Sequence, residues 1–279
     1  MEAFVRIGGL TFAIRGSDVA LEEPQTRFAV EPAEPDVDVQ VVYADDVAAP
    51  RGPLLFDSGA VWRLFDDPAG FRIECRSELF GAQPYKTATV SHDLRRADVQ
   101  MRVRGLHPMQ FPLDELLVNA LLASRRGVEL HACGVIDRGN GLLFIGNSGD
   151  GKTTTARLWQ REPAEIVSDD RVVVRADGRG WTMHGTPWHG EADICSSAHA
   201  PLRRIYVLDK ASRNGVAPLR PAEAVARLFS CTFPPFYDPR GLESVVDTLG
   251  ELVMNVPVAR LSFANDASAV DFVRQEAAA

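Results

Sequence analysis

Cysteine is scarce in this sequence, and its spacing gives no sign of a covalent or metal framework. The 279 residues include four cysteines, at positions 75, 133, 195 and 231, and none of them forms a C-x-x-C pair. This spacing argues against a disulfide scaffold and against a zinc site. It predicts reduced thiols, as in a cytosolic protein.

Long apolar runs and an excess of basic residues are also lacking. No stretch approaches the roughly 20 apolar residues of a membrane span, and the first residues lack the basic and apolar regions of a signal peptide. We therefore expect a cytoplasmic protein without a membrane partner. With 30 basic and 38 acidic residues the net charge is −8, which argues against a nucleic-acid partner.

Glycine and proline, at 22 and 18 residues, are too few for a collagen-like or low-complexity chain. Hydrophobic residues make up 46% of the sequence and charged residues 24%, which is ordinary for a globular protein with a sizeable core. At about 150 residues per domain, the length predicts one large domain or two ordinary ones.

Residues 1–110 are predicted to form a β-rich N-terminal domain. Short segments that alternate apolar and polar residues, such as Val37–Val41, are separated by turn sequences such as Gly8-Gly9. Residues 15–36 are acidic and contain several prolines, so we expect a loop there. Recognition of an acceptor substrate is a hypothesis for this domain.

The pattern changes near Pro112, and residues 111–279 are predicted to form a second domain. Apolar residues at three- and four-residue spacing predict a helix that starts at Pro112 and ends at Gly127. Strand and helix patterns then alternate to the end of the chain, which is typical of an α/β fold.

The strongest motif is the glycine-rich segment 146–153, which matches the phosphate-binding loop pattern GxxxxGK[ST] between an apolar strand and a helix. In such a loop, backbone N–H groups surround phosphate oxygens. Lys152 would pair with the β- and γ-phosphates, and the Thr153 hydroxyl would ligate Mg²⁺. The predicted nucleotide-binding residues are Gly146, Asn147, Ser148, Gly149, Asp150, Gly151, Lys152, Thr153 and Thr154.

Two acidic sites compete for the metal. Asp169 and Asp170 follow Lys152 by 17 and 18 residues, whereas Asp209 ends an apolar strand pattern, as the metal-binding residue of a P-loop NTPase does. In one alternative Asp209 holds Mg²⁺ and the Asp pair caps a turn. In the other the pair is the working site, because neighbours in an extended chain face opposite ways and one carboxylate can hold the metal while the other meets the acceptor. This second alternative suits a kinase.

Three segments together resemble the catalytic domain of HPr kinase/phosphorylase. They are His131–Gly134, the loop at 146–153 and Val167–Asp170. That family has a histidine 21 residues before the loop lysine and an Asp-Asp pair 17 and 18 residues after it, and the same spacings occur here. The resemblance covers residues 128–180 firmly and extends weakly to the C-terminus.

The resemblance implies a P-loop-containing, phosphoenolpyruvate-carboxykinase-like α/β kinase domain, preceded here by the smaller β-rich N-terminal domain. It implies phosphoryl transfer from ATP, or from pyrophosphate, to a serine hydroxyl with Mg²⁺. By the same resemblance Asp169 is the general base and His131 tunes it. Lys152 grips phosphate, while Thr153 and Asp170 hold the metal. Kinases of this type often form rings, so a homo-oligomer is implied as well.

Two departures from the family point away from HPr itself as the acceptor. Thr153-Thr154 stands where the family has Ser-Glu, and the family's Arg-Gly-x-Gly segment is not visible downstream. The chain is more similar to divergent relatives in peptide natural-product pathways, some of which phosphorylate a precursor peptide and others a free amino acid. The expected acceptor is a peptide, a protein or a small molecule that carries a hydroxyl group.

Two further groups of residues are functional candidates, and the sequence does not decide whether or which of them take part. Trp188, His189 and Glu191 lie in a segment rich in glycine and proline. A loop of this kind can bind an acceptor, although its tryptophan can equally pack on the core. The candidates to stabilise the transferred phosphoryl group are Arg157, Arg171, Arg203 and Arg204.

The favoured interpretation is a cytoplasmic kinase that uses ATP and Mg²⁺. One alternative is a P-loop NTPase that hydrolyses nucleotide with Asp209. Another is a regulatory protein that binds nucleotide and transfers nothing.

Overall fold

A computed structural model describes residues 2–17 and 19–277 of the chain. The chain divides into two compact units, Met1–Leu121 and Leu122–Ala279. The division lies inside a helix, whereas the domain boundary predicted from the sequence, after residue 110, lies before it. Within the described residues, no helix combines the length and the apolar character needed to cross a membrane.

The N-terminal unit contains one mixed sheet in the order β1-β2-β3-β8-β7-β6-β5-β4. Its neighbours are antiparallel except for two parallel pairs, β2 with β3 and β3 with β8. The strands are β1 (Glu2–Ile7), β2 (Leu10–Gly16), β3 (Val37–Tyr43), β4 (Leu54–Asp57), β5 (Trp62–Asp67), β6 (Gly70–Cys75), β7 (Lys86–Ser91) and β8 (Arg96–Met101).

The β-rich character predicted for this part of the chain is confirmed, and so is the first hairpin. Gly8 and Gly9 adopt φ values of 58° and 73° between β1 and β2, as a tight hairpin turn requires. The alternation in β3 is explained by burial, because Val37, Val39 and Val41 are buried and the residues between them are partly exposed. Strand β4 was not predicted, and a short 3-10 turn at Gln25–Phe28 lies in the segment expected to be a loop.

The C-terminal unit is a mixed α/β structure, and the alternation of strands and helices predicted from the sequence is confirmed. Its helices, the first of which begins in the preceding unit, are α1 (Leu113–Ser124), α2 (Lys152–Trp159), α3 (Pro221–Phe229), α4 (Pro239–Asn255) and α5 (Ser268–Ala277). Its strands are β9 (Gly127–Asp137), β10 (Asn140–Ile145), β11 (Glu165–Ser168), β12 (Arg171–Asp177), β13 (Gly180–His184), β14 (His199–Lys210), β15 (Gly215–Pro218) and β16 (Val258–Phe263).

Helix α1 ends differently from the prediction. It stops at Ser124, and Arg126, not Gly127, takes the left-handed conformation with a φ of 53°. Gly127 instead starts β9, where a Cβ atom would lie 2.6 Å from a Leu122 methyl group and 2.7 Å from the Arg175 side chain. The glycine is therefore explained by close packing, not by helix termination.

Strand β10 carries helices on both of its faces. Leu143 and Ile145 belong to a core shared with α3 and α4, whereas Leu142 and Phe144 belong to a core shared with α2 and α5. Because side chains alternate along a strand and both faces are covered, the whole segment is apolar.

Parallel strands end together at one edge of this sheet, and that edge positions the candidate site. Ile145 at the end of β10 pairs with Val207 of the parallel β14, and β16 runs parallel on the far side of β14. On the opposite side of β10, the antiparallel β9 places Ala132 beside Ile145. The loops after β10, β14 and β16 therefore lie along one edge of the sheet, the kind of edge where open α/β sheets bind ligands.

Candidate active site

The segment 146–153 forms a loop between β10 and the first turn of α2, as the phosphate-binding motif predicts. The Asp150 carboxylate accepts the Asn147 N–H at 2.6 Å and closes the loop. Lys152 Nζ donates to the carbonyl oxygens of Gly146 at 2.7 Å and Asn147 at 3.0 Å. The lysine is thus held inside the loop, where a phosphate could take over the role of the two carbonyl groups.

Burial lowers the pKa of Lys152 below its ordinary value, although nearby acidic groups, among them Asp170 and Asp150, oppose the shift. The direction reflects an ammonium group with little access to water, since only 6% of the residue is exposed. A buried cation of this kind is stabilised by an anionic ligand.

Gly151 is required by the geometry of the loop. It precedes α2 with a φ of 112°, and a Cβ atom on it would lie 2.6 Å from the Phe263 ring at the end of β16. Both the backbone conformation and the contact exclude a side chain. The glycine therefore allows the loop to approach β16 closely.

His131 and Asp170 are in hydrogen-bonding contact at the same edge. The ring Nδ1 of His131 lies 3.0 Å from Asp170 Oδ1 and 3.1 Å from the Asp170 carbonyl oxygen. Because both neighbours of Nδ1 are acceptors, Nδ1 carries the proton and Nε2 is left as a proton acceptor. The predicted coupling of His131 to Asp169 is therefore replaced by a coupling to Asp170.

The carboxylate of Asp170 is surrounded by cationic groups. Burial alone would raise its pKa, but the hydrogen bond from His131 and the charges of Arg171 and Lys152 lower the pKa below its usual range. Arg171 pairs with the second carboxylate oxygen and lies over the Phe233 ring, whose edge also faces His131. Asp170 is therefore ionised and held in place at neutral pH.

Asp169 occupies a different environment from its neighbour. It is 2% exposed, and its two carboxylate oxygens accept the backbone N–H groups of Gly190 and Ala192, each at 2.9 Å. A Cβ atom on Gly190 would lie 2.8 Å from the Asp169 carboxylate, so the segment packs tightly against it. This carboxylate serves the fold of the 185–192 segment, and its access to a substrate is poor.

The predicted acceptor loop divides into buried and exposed parts. Trp188 is buried, and its carbonyl oxygen accepts the hydroxyl of Ser168, so it packs on the core as the alternative interpretation held. His189 and Glu191 are exposed, and His189 pairs with Asp193 at 3.3 Å. Since Gly190 contacts Asp169, the loop does lie beside the Asp pair.

Asp209 flanks the phosphate loop on the side opposite His131. It is the penultimate residue of β14 and lines a cavity of about 260 Å³ together with the loop. The residues that line this cavity include Gly146, Asn147, Asp150, Asp209, Arg227, Ser230, Cys231 and Arg260. The geometry thus brings both acidic sites predicted from the sequence to the phosphate loop, one on each flank.

Two arginines at this cavity were missed by the sequence analysis. Arg260 of β16 pairs with Glu223 at 2.9 Å, and no residue in the described part of the chain pairs with the Arg227 guanidinium. Only the parallel pairing of β14 with β16 and the packing of α3 bring them near the loop. No signal in the sequence marks them.

The structure separates the four arginines predicted as candidates. Arg171 contacts Asp170 at the site. Arg157 lies on the exposed side of α2 and lines a separate cavity of about 440 Å³. Arg203 and Arg204 line a cavity formed by the start of β10 and the adjoining part of β14, away from the phosphate loop. Arg171 is therefore the candidate of the four that the geometry retains.

The residues present fit a magnesium nucleotide. Mg²⁺ usually takes one or two protein oxygens besides phosphate and water, and the oxygens available near the loop include the Thr153 hydroxyl in the first turn of α2 and the carboxylates of Asp170 and Asp209. Among residues 2–17 and 19–277, no group of three or more His, Cys, Asp or Glu side chains is arranged to hold a metal alone. A metal held jointly with phosphate needs no such group.

No known family model matches this chain. Nor does any curated protein match its sequence.

Proposed function

We propose that this protein is a kinase that transfers the γ-phosphoryl group of ATP to a hydroxyl group of a peptide, a protein or a small molecule, with serine as the favoured acceptor. The observation that carries the proposal is the hydrogen-bonded contact of His131 with Asp170 beside the Lys152 loop. It would supply an oriented proton acceptor next to the loop that we propose to hold phosphate.

His131 is the residue that we propose to receive the proton of the acceptor hydroxyl. Asp170 holds the protonated Nδ1, so Nε2 can accept a proton, and 29% of the histidine side chain is exposed. Asp169, the base implied by the resemblance to HPr kinase/phosphorylase, is buried and bound to two backbone N–H groups. In this assignment Asp169 is a positioning residue that anchors the 185–192 segment.

The proposed transfer forms one bond to the γ-phosphorus, breaks another and moves one proton. The acceptor oxygen bonds to the γ-phosphorus, the bond between that phosphorus and the β–γ bridging oxygen breaks, and ADP departs with the electron pair. The acceptor proton passes to His131 Nε2. Lys152 and the loop N–H groups stabilise the charge on the phosphoryl oxygens.

The kinase proposal assigns Mg²⁺ to Thr153 and Asp170. The bound ion would neutralise charge on the β- and γ-phosphates. Arg171, which pairs with Asp170 and stacks on Phe233, would keep the carboxylate oriented.

The experiment measures ADP formation by the full chain with ATP and Mg²⁺ under three conditions. These are buffer alone, added L-serine, and a mixture of short peptides that contain serine. The proposal predicts ADP formation that depends on an added hydroxyl compound, with an equal amount of phosphorylated product detected by mass spectrometry. Binding of ATP without turnover under any of the three conditions would contradict it and favour a regulatory protein that senses nucleotide.

A second candidate function is nucleotide hydrolysis with Asp209 as the metal ligand. It is favoured by the position of Asp209 in the loop cavity and by its exposed carboxylate, for which the described residues provide no ion-pair partner. In the experiment above, hydrolysis would give ADP formation in buffer alone at a rate that no hydroxyl compound raises.

A further inference from the structure

A second basic site lies at the other end of the strands that carry the phosphate loop. Strand β10 runs from Asn140 to Ile145, and the loop follows its last residue. A cavity of about 510 Å³ adjoins its first residues. Its lining consists of Asp137, Arg138, Asn140, Leu142, Arg203, Arg204, Pro257, Arg274 and Ala277, and we call it the arginine cavity. Five steps of roughly 3.3 Å along β10 separate it from the loop by about 16 Å.

Two of its four arginines are neutralised by acidic partners. Arg274 binds both oxygens of Asp137, at 2.9 and 3.1 Å, and also contacts Glu162 at 2.8 Å. Arg204 pairs with Glu276. These pairs explain how a group of arginines folds stably around one cavity, and they leave little capacity on either residue for a ligand.

The other two arginines carry charge that no acidic residue balances. Arg138, in the turn between β9 and β10, and Arg203, on β14, are both exposed. In the part of the chain that the structure describes, no carboxylate pairs with either of them. Arg203 Nε donates a hydrogen bond to Asn140 Oδ1 at 3.1 Å, which orients the guanidinium, and among the described residues its terminal nitrogens have no hydrogen-bond partner.

The wall of the cavity contains a further donor without a partner. The Nε of Arg204 is buried and has no hydrogen-bond acceptor among the described residues. A buried donor of a charged group is costly to leave unsatisfied. The two exposed guanidinium groups, those of Arg138 and Arg203, therefore offer unused donors to one space, in a chain whose overall charge is −8.

The size and the donors of the cavity indicate the class of ligand. Guanidinium groups present planar sets of donors that match phosphate oxygens in pairs. A volume near 510 Å³ exceeds what a single phosphate fills and lies within the range of small-molecule sites. Leu142 and Pro257 add apolar surface for the remainder of such a molecule.

We propose that the arginine cavity binds a small molecule that carries a phosphate group, with Arg138 and Arg203 as the main contacts. This site is separate from the phosphate loop, and the proposal does not rest on the kinase function.

The test is isothermal titration of inorganic phosphate and of pyrophosphate into the Lys152→Ala chain, which lacks the loop lysine. We expect one saturable site, and we expect the added substitutions Arg138→Ala and Arg203→Ala to weaken it at least about tenfold, since each removes charge-assisted hydrogen bonds to the phosphate. The matched control carries Arg179→Ala and Arg213→Ala, which remove two exposed arginines elsewhere in the same unit, and should stay within about twofold.

Three results would overturn the proposal. They are the absence of phosphate binding in the Lys152→Ala chain, an equal loss in the control, or tighter binding of citrate than of pyrophosphate, which would assign the cavity to carboxylates. If Lys152→Ala does not fold, the same pair of double variants is compared with Lys152 intact. Arg138→Ala with Arg203→Ala should then remove one of two phosphate sites, and retention of both would contradict the assignment.

Discussion

The two ends of strands β10 and β14 present positive charge to a cavity in different ways. At the phosphate loop the charge comes from one buried lysine and from backbone N–H groups, with His131, Asp170 and Asp209 close by. At the arginine cavity it comes from long side chains, and the acidic residues there are already bound to arginines. Of the two ends, the one at the loop has a group placed to accept a proton, so it fits a catalytic role. The second end suits binding.

The largest effect is expected from Lys152→Ala. Its ammonium group is the cation inside the loop and should stabilise the transferred phosphoryl group, so we expect phosphoryl transfer to fall by about three orders of magnitude or more. The fold should persist, because the loop contributes little to the core. Steady-state kinetics and circular dichroism check both parts, with the exposed Arg179→Ala as the control. A folded variant with near-normal transfer would remove the loop from the mechanism.

A smaller effect, on the free energy of unfolding, should distinguish an arginine that has an acidic partner, Arg274, from one that has none among the described residues, Arg138. Arg274→Ala leaves the buried Asp137 carboxylate without its partner. It also removes the guanidinium that lies over the Trp159 ring, 5.2 Å from the ring centre. Breaking a buried ion pair in this way costs about 3 kcal/mol of the free energy of unfolding. Arg138→Ala should cost less than about 0.5 kcal/mol, as exposed substitutions usually do. Urea unfolding followed by tryptophan fluorescence compares them, and equal losses would show that the two kinds of arginine do not differ.

Asp169→Asn tests whether this residue is an anchor or a base. The backbone N–H groups of Gly190 and Ala192 now donate to the two carboxylate oxygens of Asp169. In the asparagine variant one of these oxygens is replaced by an NH₂ group, so one N–H donor faces another donor. We expect a loss of about 1–3 kcal/mol in the free energy of unfolding, with ATP affinity retained. Asp193→Asn, at an exposed carboxylate, is the control. Unchanged stability combined with a complete loss of transfer would restore Asp169 as the general base.

The smallest effect concerns the metal. If Thr153 and Asp170 hold Mg²⁺, Asp170→Asn should weaken Mg²⁺-dependent ATP binding by about tenfold, the equivalent of about 1.4 kcal/mol, and Asp209→Asn should weaken it less. Titration of Mg²⁺ at fixed ATP concentration ranks the two variants. The opposite order would favour hydrolysis with Asp209 as the metal ligand.

The same two ends show what the sequence could predict. The loop at 146–153 is a run of eight residues whose types and flanking patterns predict a phosphate-binding loop without any tertiary information. The strands around it could be predicted because a strand covered on both faces, such as β10, is apolar throughout. The first turn of the N-terminal sheet was marked by the glycine pair Gly8-Gly9, which tolerates positive φ.

The remainder depended on contacts between residues distant in the sequence. Arg138, Arg203 and Arg274 meet only because β10 pairs with β14 and α5 packs beside them. The sequence spacing predicted that His131 lies near Asp169 and Asp170 at one edge of the sheet. It could not predict which of the two carboxylates contacts the histidine ring. That choice is made by the 185–192 segment, which binds Asp169 and leaves Asp170 to His131.

The central claim is that His131, oriented by Asp170, accepts the proton of the acceptor hydroxyl beside the phosphate loop. The most direct measurement is the single-turnover rate of phosphoryl transfer to the hydroxyl acceptor for the wild-type chain and for His131→Gln, with ATP affinity measured in parallel. A positioned base contributes about 10²–10⁴-fold, so the account predicts a rate lower by that factor and an ATP affinity within about twofold of the wild type. A rate that His131→Gln leaves unchanged would contradict it.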